Sequence, residues 1–491
     1  MWDGNSLPHR LATAAADLHL RPIFGHLRTQ YRQIKDLTAP PFNHCIVRQT
    51  RTTAAHLNRC ARLDPVRLFH LLQRMALVAD LAAAGALAVL ALALENLCGE
   101  PMSFLGRERA IIDRCCPGLD VALAALPLME VEKPESQSIR LLCRHHVASL
   151  LVPAAFGGQG ASVLEAICVL RALGARSPSL AVALAMHNLS VATMATYRMF
   201  GVHGQEVLKK IASRQQFIAS GFAEGRSGHD ILEYGTVATP VAGGYHVSGS
   251  KKPCSLTHSC SAIVLGVSLA HRPGGRGVVL VTIDDAGDDI PRTPFSSSPG
   301  VRRRQFWTAP FLIGADSHEV ILESIFVPEH LMLFPRDNET LHQVTNFEIG
   351  GFCLFELFIS AAYLGIVSGL VERAISKKVS QDSEKTLLGI EVESAMTMLE
   401  GLACRIAAEK PTHDLYAQAL FVRFGVQEAI ARAASRAAEL IGGRGFVCTP
   451  DVGYLLASSR ALAFHPPSRL SAGDLLVKHL MDRVPLSRDV A

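Results

Sequence analysis

The sequence predicts an α+β fold of several domains: a helical N-terminal domain, a central antiparallel β domain and a C-terminal helical bundle, preceded by a helical extension. The first observation is size, since 491 residues exceed one ordinary domain. The second is a change from long Ala/Leu/Val segments to short β-branched segments and back again. A β domain between two helical domains creates a cleft where they meet, and we expect a ligand there.

Four regions are expected along the chain. They are a basic helical extension at 1–98, the N-terminal helical domain at 99–217, the β domain at 218–333 and the C-terminal helical domain at 334–491. Prolines, glycines and changes of apolar period separate them.

The extension has an uneven charge. Residues 1–74 hold ten Arg and one Lys against four Asp. An Arg-rich, acid-poor start resembles a transit peptide, but this one is long and broken by prolines, so a helical extension with a basic face is an equal alternative. The apolar run 75–94 is about long enough to span a bilayer. Asp80 near its start favours a buried Ala/Leu helix instead.

Composition limits the classes of function. The net charge of +4 is small for this length, and no dense basic stripe interleaved with aromatics is present, so no nucleic-acid partner is expected. Twelve cysteines occur without a CxxC pair or a signal peptide, which predicts reduced thiols in a cytoplasmic protein. Apolar residues make up 49% of the chain and favour extensive helix packing or a large subunit interface.

The periodicity predicts individual elements. Long apolar helices are expected at 163–175, 180–200, 354–378, 390–409 and 415–441. Short β-branched strands are expected at 236–239, 245–250, 262–269 and 277–283. Residues 241–244 predict a hairpin turn between the first two strands.

Five turns or strand ends follow one another in a characteristic order. They are 151–160 (LVPAAFGGQG), 222–230 (FAEGRSGHD), 245–251 (YHVSGSK), 320–328 (VILESIFVP) and 438–446 (AELIGGRGF). Each of these turns and strand ends is common in unrelated proteins. Together, at this spacing, they resemble the acyl-CoA dehydrogenase family from about residue 99 to the end of the chain. The resemblance implies the same three-domain fold and a homodimer or homotetramer.

The resemblance also implies an FAD whose ring lies against the β domain. Phe222, Ala223 and Glu224 would offer backbone contacts, His229 would stand where a serine usually meets flavin phosphate or substrate, and Ser255 would place a hydroxyl near the ring. A protein tunes a flavin through such hydrogen bonds. Ser255 as a strand-end hydroxyl and His229 as an ordinary loop residue stay open as alternatives.

The position of the family's catalytic glutamate holds no carboxylate. Counted from Gly442 and Gly443, it falls on Pro466, within the segment 465–468 (HPPS). A shift of one residue gives His465 or Pro467. His465 is therefore one candidate base, as a neutral imidazole, with a simple turn residue as the alternative.

Some relatives carry the base on a C-terminal helix, about ten residues before a glycine. Counting back from Gly365 gives Phe355, with Glu356 next to it. Adjacent helix residues point about 100° apart, so Glu356 reaches the same cleft only with a shifted register. Glu356 is the second candidate base, and a solvated or interface glutamate is the alternative.

Three functions remain open from the sequence. The first is an FAD-dependent oxidoreductase acting on an acyl thioester of coenzyme A or of a carrier protein, with a non-standard base. The second is a flavin monooxygenase of the same fold, which needs no glutamate at the lost position. The third is a non-catalytic relative with an assembly role. The electron acceptor, an electron-transfer protein or oxygen, is not determined by the sequence.

Overall fold

The architecture was taken from a computed structural model. It describes residues 103–134, 138–225, 232–272, 274–283, 300–336, 338–377 and 382–481. The predicted extension at 1–98 and the apolar run 75–94 lie outside these residues.

The first part of the described chain is helical. Its helices are α1 (Gly106–Cys115), α2 (Leu119–Ala124), α3 (Leu128–Val131), α4 (Ser138–Arg144), α5 (Val163–Arg176), α6 (Pro178–Thr196) and α7 (Gly201–Arg214). Helix α5 begins at a capping box, in which Ser162 and Glu165 satisfy each other's backbone amides. Helix α6 begins at the Ser177 cap, with Pro178 as its first residue. The predicted helices 163–175 and 180–200 are therefore confirmed, with ends shifted by a few residues.

The central part is one eight-stranded sheet in the order β6-β7-β3-β2-β4-β5-β8, with β1 paired to β4. Its strands are β1 (Phe217–Gly221), β2 (Val237–Val241), β3 (Gly244–Cys254), β4 (Cys260–Leu269), β5 (Arg276–Thr282), β6 (Val301–Arg304), β7 (His318–Pro328) and β8 (Met332–Leu333). The turn predicted at 241–244 joins β2 to β3, with Gly243 at φ 79°.

One feature of the sheet was predicted wrongly. The sheet is mixed and not wholly antiparallel, because β1 and β2 both pair in parallel with β4. Strand β1 enters from the N-terminal helices, and the β2–β3 hairpin intervenes before β4, so the chain crosses over before it pairs. Local alternation of apolar residues is the same in both kinds of pairing, and the sequence pattern could not distinguish them.

The last part is again helical. Its helices are α8 (Asn338–Ile375), α9 (Asp382–Ala408), α10 (His413–Cys448), α11 (Pro450–Ser459) and α12 (Arg469–Leu480). Helix α8 passes so close to α5 that a side chain on Gly365 would lie 2.4 Å from the carbonyl oxygen of Arg171. The helical conformation of α10 is interrupted at Gly442, at φ 77° and ψ 164°. Gly442 belongs to the Gly442–Gly443 pair, from which the position of the family's glutamate falls on Pro466.

Within the described ranges, two helices are long and apolar enough to cross a membrane by length and composition. They are α6 and the Val344–Ile375 part of α8, whose most apolar windows are 83% and 94% buried inside the fold. Burial of this extent is typical of core helices.

The three parts meet at one buried carboxylate. Glu132, just after α3, accepts hydrogen bonds from the Ser179 amide at 3.2 Å and from the Tyr454 hydroxyl at 2.5 Å. The Tyr454 oxygen in turn accepts from the amide of Leu312, in the β part, at 2.9 Å. Burial raises the pKa of Glu132, while the hydrogen bonds from Ser177 and its other donors oppose that rise. The contact fixes α11 against the other two parts, close to the segment 462–467.

Candidate functional site

Two neighbouring loops of the β part carry most of the predicted flavin contacts. We call residues 222–225 and 252–257 the loop pair. The amide of Lys252 donates to the carbonyl oxygen of Ala223 at 2.9 Å, so the loops lie side by side. The Phe222 ring lies 5.8 Å from the ring of Phe347 on α8, between centroids. The loop pair therefore faces the first C-terminal helix.

Glu224 braces this region with its side chain. Its carboxylate accepts hydrogen bonds from the amides of Gly235 and Thr236, at 2.7 and 3.0 Å, and from Lys251 Nζ at 2.7 Å. Burial would raise the pKa of Glu224, but Lys251 and the two amides outweigh that effect and lower it to about 2. The side chain of Glu224 is thus structural, which leaves only its backbone for the predicted flavin contact.

Ser255 lies at the end of the loop pair. Its hydroxyl is buried and hydrogen-bonded to the hydroxyl of Ser317 at 2.9 Å. His229, the other predicted polar contact, lies in 226–231, outside the described residues. Neither role is tested by these contacts, and both stay predictions.

The residues present fit a flavin. The loop pair brings together backbone groups, the paired hydroxyls of Ser255 and Ser317, and the aromatic ring of Phe222. Hydroxyls and amides are the partners that a flavin's carbonyl oxygens and ring nitrogens need, and an aromatic ring suits its apolar face. The loop pair would hold the ring, and no metal ligand is required.

A second group of polar side chains lies inside the C-terminal helices. We call Glu356, Tyr363, Arg423 and His465 the arginine cluster. Glu356 and Tyr363 lie on α8, and Arg423 lies on α10. Arg423 Nε is 2.9 Å from Glu356 Oε2, and both side chains are fully buried. The cluster unites the two predicted catalytic residues around one guanidinium group.

Arg423 organises the segment that replaces the family's glutamate stretch. It donates to the carbonyl oxygens of Leu462 at 2.7 Å, His465 at 3.1 Å and Pro467 at 3.0 Å. These three bonds fix the backbone of the segment and so place the His465 ring, whose Nε2 is 3.0 Å from the Tyr363 hydroxyl. Arg423 is a positioning residue for His465.

The two candidate bases have opposite pKa shifts. Burial raises the pKa of Glu356 to about 7, although the charge of Arg423 opposes the rise. Burial lowers the pKa of His465 to about 3, and the charge of Arg423 lowers it further. Near neutral pH, Glu356 therefore exchanges a proton easily and His465 stays neutral.

Several buried polar atoms of this region have no hydrogen-bond partner among the described residues. They are Oε1 and Oε2 of Glu356, Oγ of Ser360, Nε of Arg423, Oε1 of Gln427 and Oγ of Ser458. The short Glu356–Arg423 contact is an ion pair without hydrogen-bond geometry. Folded proteins seldom leave such atoms unsatisfied, so water or a polar ligand is expected between α8, α10 and α11.

Helix α8 connects the two groups. Phe347 contacts the loop pair, and Glu356 follows nine residues later on the same helix. Nine residues rise roughly 13 Å along a helix axis. The arginine cluster and the loop pair thus share one rigid element.

The sequence predicted Glu356 and His465 as candidate bases, and their catalytic role stays a prediction, but it did not identify the residues that join them. Arg423 is a lone charge in the apolar stretch 419–426 of α10. That pattern indicates a buried, partnered arginine. Its partners at 356 and 462–467 are distant in sequence, so no local pattern identifies them. Tyr363 and Ser317 were missed for the same reason.

Comparison with known proteins finds a curated relative that aligns with most of this chain. The chain is 36% identical over 382 residues to isobutylamine N-hydroxylase of Streptomyces viridifaciens, covering 77% of this chain and 98% of that protein. No family model matches the chain.

Solved structures with the same fold include two well-covered chains. FMN-bound TdsC from Paenibacillus sp. A11-2 has a TM-score of 0.65 at 16% identity, covering 78% of this chain and 100% of that one. Butyryl-CoA dehydrogenase from Megasphaera elsdenii has a TM-score of 0.64 at 14% identity, again covering 78% and 100%. At such identities these two structures show the fold alone.

Taken together, the comparisons confirm the predicted fold and support a flavin cofactor and an oxidoreductase. The chain belongs to the acyl-CoA dehydrogenase superfamily of flavoproteins, as a divergent member in the same family as isobutylamine N-hydroxylase.

Proposed function

We propose that this protein is a flavin-dependent monooxygenase that hydroxylates the nitrogen of a small primary amine. The observation that carries the proposal is the match to isobutylamine N-hydroxylase along nearly its whole length. It favours the second of the three functions left open by the sequence. Oxygen is then the electron acceptor, and an acyl thioester is not the substrate.

The lost glutamate supports this choice. A thioester dehydrogenase needs a base beside the α-carbon of its substrate. The segment 465–468 offers only the imidazole of His465, whose pKa of about 3 makes it a weak base. Oxygen transfer to an amine nitrogen needs no such base.

Glu356 suits the recognition of an amine. Both of its carboxylate oxygens are buried and lack a hydrogen-bond partner among the described residues. An amine N–H can donate to such an oxygen. The pKa of Glu356, about 7, also matches a group that takes a proton from an alkylammonium ion near neutral pH, which frees the nitrogen lone pair.

The loop pair and the rest of the arginine cluster would position the flavin and the segment next to it. A reduced flavin, when bound, supplies the activation of oxygen. The loop pair would orient the flavin ring through Ser255 and the backbone of 222–224. Arg423 would keep the segment 462–467 in place. The neutral imidazole of His465 would keep its hydrogen bond with the Tyr363 hydroxyl. FAD is the form predicted from the sequence, and FMN is the form named in the TdsC structure.

A product assay tests the proposal. Full-length protein would be mixed with chemically reduced FAD or FMN, oxygen and a series of short primary amines, and the products would be analysed by mass spectrometry. We expect the corresponding hydroxylamine, with isobutylamine among the good substrates. Bleaching of the bound flavin by acyl thioesters without oxygen, and no hydroxylamine, would instead establish the dehydrogenase function.

We also propose that the protein works as a homodimer or homotetramer. Large apolar side chains are exposed near the C-terminus: Phe464, Leu470, Val477, Leu480 and Met481. Phe464 is 84% exposed and stands next to His465. A second copy covering this surface would remove these apolar side chains from water. Light scattering of the full-length protein measures the assembly directly.

A further inference from the structure

We propose that His258, Asp316 and His318 form a binding site for one divalent transition-metal ion, with Zn²⁺ as the best-suited ion. His258 lies in the turn between β3 and β4, His318 is the first residue of β7, and Asp316 lies two residues before it. One ligand atom from each side chain lies within 4.8 Å of the others. Two imidazoles with one carboxylate are a ligand set that zinc accepts.

The carboxylate of Asp316 is the centre of the group. Its Oδ1 lies 2.6 Å from His258 Nδ1 and 3.8 Å from His318 Nε2. The amide of His258 donates to Oδ2 at 2.6 Å and so fixes the orientation of the carboxylate. Zinc bonds of about 2.0–2.1 Å in a tetrahedron place neighbouring ligand atoms roughly 3.3 Å apart. Shifts of about 1 Å would bring these side chains to that geometry.

A simple His–Asp hydrogen bond accounts for only two of the three residues. His318 Nε2 is too far from Asp316 for a hydrogen bond, at 3.8 Å. Its ring stands edge-on to that of His258, with centroids 5.7 Å apart. Two imidazoles converging on one carboxylate oxygen are what a shared cation requires.

The site is accessible to an ion. The side chains of His258, Asp316 and His318 are 26%, 16% and 15% exposed. This exposure is enough for a cation to enter and for water to complete the coordination.

Metal binding requires that the ring nitrogen facing the ion carries no hydrogen. The Phe306 amide donates to His318 Nδ1 at 3.3 Å, which leaves the hydrogen of that ring on Nε2. On binding, this hydrogen moves through solvent to Nδ1, and water replaces the Phe306 bond. At His258, the ion would take the place of the hydrogen that Nδ1 shares with Asp316, and that hydrogen would leave to solvent.

The ion would act as a clamp. It would tie the turn 254–259 to the start of β7, the same segments that the Ser255–Ser317 hydrogen bond already joins. Ser255 belongs to the loop pair, so the ion would stiffen one side of the proposed flavin site. This role does not depend on which reaction the flavin performs.

The test is metal binding by the full-length protein. Chelator-treated protein, freed of chelator, would be titrated with Zn²⁺ in a calorimeter, and bound metal would be counted after gel filtration. The variants are His318→Gln and Asp316→Asn. The control is His203→Gln, because His203 stacks on His330 with centroids 3.8 Å apart, away from this group. Circular dichroism checks that each variant folds.

We expect one Zn²⁺ per chain in the wild type and in His203→Gln, with binding weakened at least tenfold in the other two variants. Zn²⁺ should also raise the thermal midpoint of the wild type and leave that of His318→Gln unchanged. No stoichiometric Zn²⁺ in the wild type, or equal affinity in His318→Gln, would overturn the proposal. So would thiolate bands in the spectrum of the Co²⁺-loaded protein, which would assign the ion to cysteines.

Discussion

The loop pair contacts helix α8 and the arginine cluster lies partly on it, but the two groups differ in how fully their polar atoms are hydrogen-bonded. At the loop pair, Glu224 accepts hydrogen bonds from two amides and from Lys251. In the arginine cluster, Glu356 has an ion pair with Arg423 but no hydrogen-bond partner among the described residues. The first region follows the sequence pattern of its superfamily, and the second departs from it. The difference agrees with the proposed function, in which the flavin contacts are kept and the base of a thioester dehydrogenase is not needed.

The largest effect is expected from Arg423→Met. The change leaves Glu356 buried without a counter-charge and releases three carbonyl oxygens of the segment 462–467. Breaking a buried pair in this way costs about 3–5 kcal/mol. Urea unfolding measures the loss. The control is Arg432→Met on the same helix, whose half-exposed pair with Glu391 contributes less than about 1 kcal/mol. Equal losses in both variants would remove Arg423 from its central position.

A smaller effect is expected from Glu224→Gln. Glutamine keeps one acceptor but removes the charge that pairs with the buried Lys251, which costs about 2–3 kcal/mol. The exposed pair of Arg302 and Glu323 gives the control, Glu323→Gln.

Measuring the stability of the same two proteins at low pH tests the charge of Glu224 separately. The pKa of Glu224 is about 2 in the folded protein, below the ordinary 4.5, so its contribution is present above pH 4.5 and is lost as the pH falls toward 2. The gap in unfolding free energy between wild type and Glu224→Gln should therefore narrow in acid. A gap that stays constant with pH would show that the charge of Glu224 is not involved.

The opposite pH dependence is expected for Glu356. Its pKa rises from 4.5 to about 7 on folding, so the folded protein holds a proton that the unfolded chain releases, and stability falls as the pH rises between these values. Glu356→Gln removes this dependence. Its free energy of unfolding relative to wild type should rise on the order of 2 kcal/mol from about pH 5 to about pH 8. If the free energies of unfolding of wild type and Glu356→Gln depend on pH in the same way, the pKa of Glu356 is not raised by folding.

The smallest effect on stability is expected from Ser255→Ala. Loss of the hydrogen bond to Ser317 costs about 1 kcal/mol. The same change should raise the Kd for flavin severalfold, measured by fluorescence titration, if the hydroxyl faces the ring. Ser261→Ala on β4 is the matched control, since its hydroxyl bonds the carbonyl oxygen of Phe217 within the sheet. Equal flavin affinities in both variants would assign Ser255 a purely structural role.

The sequence predicted the fold where local chemistry determines it. The hairpin at 241–244 and the turn at Gly442 and Gly443 both follow from residues next to each other. The parallel pairing of β1 with β4 was not predictable, because strand alternation does not record direction.

The candidate site was predictable only in part. Counting from Gly442 identified His465 and the missing carboxylate, and the family register led to Glu356. The role of Arg423 depends on contacts with residues 356 and 462–467, which meet only when the C-terminal helices pack. The pKa values of Glu356 and His465 likewise come from burial, which a linear pattern does not give.

The central claim is that the bound flavin serves oxygen transfer to an amine. It is tested most directly with isotopically labelled oxygen gas, reduced flavin and isobutylamine, followed by mass spectrometry of the product. We expect a hydroxylamine that carries one labelled oxygen atom from the gas. An unlabelled product, or no hydroxylamine together with thioester-dependent bleaching of the flavin in the absence of oxygen, would contradict it.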